Sequence, residues 1–541
     1  MAIVLNEIYE VEITGMNHDG NGVTRIEGEV VFVKGALTGE VLKIRINKKY
    51  KSVYWAEILQ ILKTCKERVD AVCDVYNSCG GCKLQHLSYE GQLKFKRELV
   101  FNALNRIAKA NIDFEMVRPV KGMRKPYNYR NKAILFAGEE AGKVVLRFKE
   151  EASNKLAPES CSFLFPEKVN LFLKKLEQLF SKHEVAVEDA LLGVMVRYSS
   201  YMDKIQLVII AKNQFVRDTD LLISDLKNTC SNIAGIGLAM HKDNKAADMF
   251  SIYRGVEIVF GSKYLEEKIG EKVYRLSPAS FFQVNTEQTK ILYDCVKEFA
   301  ALNSEDIVLD AYCGTGTIGI YAADKAAKLI GIDVVEEAIK DAKYNAVANE
   351  LVADYYKGKV EDILPKLLKE GLMPTVVILD PPRKGCDKKM LKALKQLAPN
   401  NILYVSCDPS TLARDIKILF EYGYKLIKIQ PVDMFPQTTH VETVVLLSKL
   451  KSTTSIEVKI DLDEMDLTKS ESKATYDEIK QCVLDKFGLK VSQLYIAQVK
   501  RKHGIIERDN YNTGEGKAKV PQAPTDKEKA IEDALRYFRM I

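Results

Sequence analysis

A short apolar run at 307–309 leads directly into Asp310-Ala-Tyr-Cys-Gly314-Thr-Gly316-Thr-Ile-Gly319. A strand that ends in a glycine-rich turn and reopens as a helix is the entry to an α/β sheet, and it restricts the surrounding chain to that architecture. The neighbouring sequence agrees. Between 272 and 449, apolar runs at 307–309, 329–332, 375–379, 402–405 and 441–447 alternate with helical stretches such as 335–349. This alternation predicts a doubly wound, Rossmann-like parallel sheet. Glycines at such a turn let a helix N-terminus approach a nucleotide closely. Gly331-Ile332-Asp333 closes the next run, about 20 residues after the first glycine, where an acid can hold ribose hydroxyls. The pair of features suits a dinucleotide and S-adenosylmethionine equally, and a purely structural turn remains an alternative.

Three further motifs fall at the ends of predicted strands, the edge at which open α/β sheets bind ligands. Asp380-Pro381-Pro382-Arg383-Lys384-Gly385 follows the run at 375–379, and its two prolines set a rigid loop. Tyr404-Val405-Ser406-Cys407-Asp408-Pro409 presents a thiol before a proline turn. A thiol so placed reads as a nucleophile, against the common alternative of an inert cysteine. His440-Val441-Glu442 enters the last run, and Glu442 is placed to serve as a general base.

Before this region the chain divides differently. Residues 1–63 hold short Val-, Ile- and Tyr-rich runs separated by glycine turns, which predicts a small β-barrel of the OB type. Its later strands carry Lys43, Arg45, Lys48, Lys49 and Lys51 beside Tyr50, Tyr54 and Trp55. That mixture suits a nucleic-acid strand or a plain solvated face. Residues 64–271 read as a mixed α/β region opened by Cys73-x5-Cys79-Gly-Gly-Cys82, with Cys161 downstream. The Gly-Gly turn aims neighbouring thiolates at one centre, and four thiolates hold either zinc or an iron–sulfur cluster. An amphipathic helix is expected from about 89 to 110. The stretch 118–132 contains six basic residues, Tyr127 and Tyr129, and no acid. It is the clearest candidate surface for RNA.

Beyond 450 the composition shifts to an acidic linker, 451–474, and a small C-terminal module, 475–541. Thr475-Tyr476-Asp477-Glu478 fits a capping box there, and Lys500, Arg501, Lys502 and His503 form a basic knot. Across the whole chain, Lys+Arg 80 against Asp+Glu 74 leaves a net charge of only +6. Total charge therefore permits a nucleic-acid partner without arguing for one. Eleven cysteines, an odd number in 541 residues, exclude a disulfide scaffold. The N-terminus lacks the pattern of a signal peptide, and no apolar run reaches the length of a membrane span. A cytoplasmic chain with no membrane partner is expected.

Taken in this order, the motifs resemble the RNA uracil-5-methyltransferases that use S-adenosylmethionine. The similar branch is the bacterial 23S ribosomal RNA type, with an N-terminal TRAM domain and a 4Fe–4S cluster. The resemblance spans about residues 1–450 and includes Phe281-Phe282-Gln283-Val284-Asn285. It implies that Cys73, Cys79, Cys82 and Cys161 hold the cluster rather than zinc. It implies that Gln283, Tyr312, Gly314, Gly316, Asp333 and Asp380 form the S-adenosylmethionine site, with Asp333 replacing the family's usual glutamate. It also implies Cys407 as covalent nucleophile and Glu442 as base, acting on RNA and not DNA, in a monomer. A transfer RNA T-loop uridine is the alternative target. A radical S-adenosylmethionine enzyme needs Cys-x3-Cys-x2-Cys, which this spacing does not provide. An iron–sulfur dinucleotide oxidoreductase leaves Cys407 and Asp380-Pro-Pro-Arg unexplained, and an inactive RNA-binding relative leaves Cys407 and Glu442 unexplained.

Overall fold

The computed structural model describes residues 3–151, 153–161, 163–187, 190–212, 214–240, 255–449, 476–503 and 523–538. The expected acidic linker at 451–474, and Thr475 of the expected capping box, lie outside them. The chain forms two compact units, Met1–Lys451 and Ser452–Ile541.

The first unit opens with a six-stranded sheet. In Val41–Tyr50, Leu42, Ile44 and Ile46 are buried while Lys43 and Arg45 are exposed, the period-two pattern of a strand with one wet face. Ile8–Glu12 pairs with that strand, and the same segment, after a bend, pairs as Gly15–Met16 with Gly22–Ile26. One stretch of chain thus occupies both edges of the sheet. That closes it into a barrel without free edges.

Helix Tyr89–Ala103 follows, capped by the Ser88 side chain, which accepts from Gly91 N. It passes into a π turn at Leu104–Ala108 and stops at Lys109 in the left-handed conformation, close to the expected limit. A second six-stranded sheet then uses Lys132–Glu140, Lys143–Arg147, Leu191–Ser199, Lys204–Ala211, Ile233–Met240 and Glu257–Gly261. Helices Glu167–Lys182 and Thr219–Thr229 cover one face through Phe172, Leu176, Phe180 and Leu222. The hairpin Leu265–Ile269/Lys272–Leu276 straddles the expected division at 271/272.

The last sheet of this unit has seven strands, here β1 (Ile307–Ala311), β2 (Lys328–Asp333), β3 (Ala353–Lys357), β4 (Val376–Leu379), β5 (Asn401–Ser406), β6 (Tyr424–Val432) and β7 (Glu442–Lys449), in spatial order 3-2-1-4-5-7-6. Alternate residues go to opposite faces. Leu309, Ile330, Val377 and Tyr404 enter one core, Val308, Leu329, Val376 and Leu403 the other. Both faces are covered by helices, which is why the sequence shows continuous apolar runs rather than alternation. The expected wholly parallel sheet needs one correction. β7 runs antiparallel to β5 and β6. Only residues 433–441 join β6 to β7, whereas a parallel return needs a crossover of roughly a dozen residues or more.

The second unit packs helices Tyr476–Phe487, Gln493–Lys502 and Thr525–Tyr537 around Ile479, Val483, Ile496 and Ile531. Within the expected basic knot, Lys502 pairs with Glu528 and His503 with Glu532, so these charges tie one helix to another. Among the described residues no helix is long and apolar enough to cross a membrane.

Candidate active site

The strand order reverses between β1 and β4. The helix after β1, Thr317–Ala322, lies on one face of the sheet and the helix after β4, Lys388–Leu397, on the other. Their divergence leaves a crevice at the carboxyl ends of the strands. A cavity of about 700 Å³ fills it. Gln283, Tyr312, Gly314, Asp333, Asp380, Cys407 and Glu442 all line this cavity. Residues up to 159 positions apart, Gln283 to Glu442, are thereby brought to one place.

One end is built by the glycine turn. Tyr312 holds φ +65° and Gly314 φ +52°, a conformation costly for tyrosine and tolerated where the surroundings enforce it. Asp333 at the end of β2 accepts from Gly314 N at 3.0 Å and from Val335 N at 2.8 Å. Its short carboxylate therefore braces the turn while still facing the cavity. Asp310 is buried below, accepting from Gly319 N at 3.0 Å, and burial pushes its carboxyl up to about 8. Gly316, the remaining predicted member, is absent from the cavity wall. It has φ +79°, and a Cβ there would lie 2.7 Å from Tyr355 Oη. Its need is conformational and steric, so it shapes the turn from behind.

The other end holds the reactive groups. The Asp408 side chain accepts from Ser410 N at 2.9 Å and Thr411 N at 2.8 Å, capping helix Pro409–Glu421. Cys407 therefore sits on the turn between β5 and that helix, near its positive end. Burial, then the charges of Glu442 and Asp380, push the Cys407 thiol up to about 12, while Arg383 opposes them. Glu442 is buried, and its Oε2 has no hydrogen-bond partner among the described residues. Burial and then Asp380 push its carboxyl up to about 8, again against Arg383. Asp380 is partly open to the cavity, yet exclusion of water by the protein around it raises its carboxyl to about 7. The negative charge of Asp380 thus makes Glu442 harder to ionise.

Sequence reasoning gave no role to Arg383, Phe281 or Phe435, which also line the cavity. Arg383 lies 3.2 Å from His440 Nε2. A guanidinium only donates, so His440 accepts; burial holds its pKa down to about 4, so it is neutral. The Phe435 ring packs edge-on against His440 at 6.1 Å, and Phe281 is 63% exposed at the cavity. The signals for Arg383 and Phe281 were present in Asp380-Pro-Pro-Arg and Phe281-Phe282-Gln283-Val284-Asn285; Phe435, a lone aromatic in a loop, gives none.

The four predicted thiols, Cys73, Cys79, Cys82 and Cys161, line one small separate cavity with Tyr76, Gln85 and Phe148. All eleven cysteines are free of disulfides. Burial, then Cys161, Cys79 and Cys73, push the Cys82 thiol up to about 12. Ionised together these sulfurs repel one another, a situation that a bound cationic centre relieves. Among the described residues no group of three or more His, Cys, Asp or Glu side chains is arranged to hold a metal ion. Of the basic stretch 118–132, Arg118 pairs with Glu298 and Tyr129 is buried, leaving Arg124 and Lys125 exposed.

Residues 366–450 match the family described as tRNA (Uracil-5-)-methyltransferase, and residues 5–59 match the TRAM domain. The chain is 39% identical to an uncharacterized RNA methyltransferase of Clostridium tetani, over 82% of this chain and 96% of that protein. It is 38% identical to an uncharacterized RNA methyltransferase of Oceanobacillus iheyensis, over 82% of this chain and 97% of the relative. Among solved structures it is similar to the Pyrococcus abyssi tRNA (uracil-54, C5)-methyltransferase in complex with S-adenosyl-L-homocysteine. That likeness has 25% identity and a TM-score of 0.63, covering 81% of this chain and 100% of the other. The chain belongs to the RNA uracil-5-methyltransferase family, among the members that carry a TRAM domain.

Proposed function

We propose that this enzyme transfers the methyl group of S-adenosylmethionine to C5 of a uridine in RNA, through a covalent bond from Cys407 to C6. The observation that carries this reading is one cavity at the carboxyl edge of the sheet, with the glycine turn at one end and Cys407 and Glu442 at the other. Gln283, Tyr312, Gly314, Asp333 and Asp380 take the methyl donor, Asp333 facing its ribose. C5 of uracil is a poor nucleophile. Addition of the Cys407 sulfur at C6 moves the electron pair towards C5 and O4 as an enolate. C5 then bonds to the sulfonium methyl group, and the donor leaves as a neutral thioether. Glu442 removes the C5 proton, the C6–S bond breaks, and the thiolate is restored. Arg383 supports the sulfur anion, since its charge favours ionisation of Cys407. The base enters unstacked, from a loop or by flipping.

The barrel (1–63) and the central region (64–271) supply RNA contacts, through the exposed Lys43, Lys48 and Tyr50 and through Arg124 and Lys125. Residues 272–450 perform the chemistry, and the module at 475–541 adds a further RNA contact. The four thiols line one common cavity, as the ligands of a 4Fe–4S cluster would, and the resemblance favours the cluster over zinc. Such a cluster, with every iron held by thiolate, supplies structural order. Protein purified without oxygen is expected to carry iron and labile sulfide in equal amounts; zinc alone overturns the cluster.

The enzyme works as a monomer in the cytoplasm, and its target is a uridine of 23S ribosomal RNA. The Pyrococcus abyssi relative supports a second target, the T-loop uridine of transfer RNA. Mass-spectrometric mapping of 5-methyluridine, in RNA from cells with and without this gene, separates them. Loss from 23S RNA is expected, loss from transfer RNA selects the second target, and no loss from either removes the proposal.

A further inference from the structure

Residues 433–441 bring Phe435 to the cavity and deliver Glu442 to it, and one face of helix Tyr89–Ala103 grips this loop. The Lys96 ammonium, with no exposed surface, donates to Asp433 Oδ1 at 2.5 Å and to the Phe435 carbonyl at 3.0 Å. Tyr89 Oη donates to Asp433 Oδ2 at 2.7 Å. Gln92 Nε2 donates to Gln437 Oε1 at 3.0 Å, and Gln437 N donates back to Gln92 Oε1 at 3.0 Å. The Gln437 carbonyl in turn accepts from Lys83 N at 2.8 Å and Leu84 N at 3.0 Å, the two residues after Cys82.

Residues 89, 92 and 96 share a helical face. A helix face turned into a protein is ordinarily apolar, and apolar residues in place of a buried ion pair are often at least as stable. Stability alone therefore gives no reason for this polar stripe. Directed hydrogen bonds supply what apolar contact does not: they fix Asp433, the Phe435 carbonyl and Gln437 in orientation. Neither Lys96 nor Gln92 lines the cavity.

We infer that Lys96 and Gln92 are positioning residues for the methyl transfer, locking loop 433–441 so that Phe435 and Glu442 meet the incoming uracil. This rests on the covalent reaction proposed above. The same bonds join the thiol-bearing loop to the catalytic loop through Gln437, so order at the cysteines reaches the base-binding end of the cavity.

Two variants test it in the full chain. Lys96→Met with Asp433→Asn removes both charges at similar volume, avoiding an orphaned buried ion. Gln92→Met removes only the amide pair. For each, S-adenosylhomocysteine affinity by calorimetry is compared with the rate of covalent capture of RNA carrying 5-fluorouracil, well below the melting temperature. Capture is expected to slow by about tenfold or more, as misplacement of reacting groups does. Affinity for S-adenosylhomocysteine, bound at the other end, is expected to stay within about twofold. Capture and release of methylated product from ordinary RNA both at the wild-type rates overturn the inference. So does a parallel fall in affinity and capture, which marks general structural damage. Wild-type protein that captures no RNA removes the reaction, and this inference with it.

Discussion

Replacement of Cys407 by alanine is expected to abolish methyl transfer, by about 10⁴-fold or more, while leaving S-adenosylhomocysteine binding intact. Losses of this size follow removal of a group on which every chemical step depends. The dependence here is electronic. Without a sulfur at C6 there is no enolate, and C5 does not attack a sulfonium however well the two are aligned. The binding of the donor is carried by Tyr312, Gly314 and Asp333 at the other end of the cavity, so it is independent of the thiol. RNA carrying 5-fluorouracil makes the step visible. After methylation C5 bears fluorine in place of the proton, no base can remove it, and the Cys407–C6 bond stays closed. Wild-type protein should therefore migrate with the RNA in a denaturing gel, and Cys407→Ala should not. An adduct formed by Cys407→Ala assigns the nucleophile elsewhere. Cys407→Ser is expected to behave as alanine does, because an alcohol surrounded by Asp380 and Glu442 ionises far less readily than a thiol.

Asp333, Asp380, Cys407 and Glu442 were legible in the sequence because each belongs to a contiguous motif at a strand end. Asp310 to Gly319, Asp380-Pro-Pro-Arg and Ser406-Cys407-Asp408-Pro409 each announce a strand, a turn and a ligand edge within ten residues or fewer. Where the information is not contiguous, the reading thinned. β3 and β6 escaped notice: β3 is rich in Tyr and polar residues, and Tyr424–Val432 alternates apolar residues with Lys425 and Lys428. The antiparallel direction of β7 is set by the length of its connection, which hydrophobic pattern does not report. The Lys96–Asp433 pair joins residues 337 positions apart, and nothing in an amphipathic helix distinguishes a buried lysine from an exposed one. In the basic stretch 118–132 the structure narrows the reading: Arg118 is paired with Glu298, while Arg124 and Lys125 are exposed. Composition counts charges; only the fold shows which are already engaged.

Glu442→Gln is expected to separate the two halves of the reaction. Glutamine keeps the shape of the side chain but accepts no proton from carbon, so sulfur addition and methyl transfer proceed while elimination stops. Methylated RNA should then accumulate covalently bound to the protein with ordinary uridine as target, without any fluorine. The wild-type pH profile follows from the same group. Burial and the neighbouring Asp380 raise the Glu442 carboxyl to about 8, so below that pH most of the enzyme already carries the proton that the base must accept. Product release should therefore rise with pH, by about tenfold per unit well below 8, and level off above it. The two carboxyls titrate as a pair, and the apparent value belongs to both. Asp380→Asn removes one negative charge beside Glu442, which makes ionisation of Glu442 easier and moves the rise to lower pH. A movement to higher pH, or a flat profile in wild-type enzyme with release limiting, would assign the base to another residue. Any free methylated product from Glu442→Gln at the wild-type rate does the same, because it requires a second group within reach of C5.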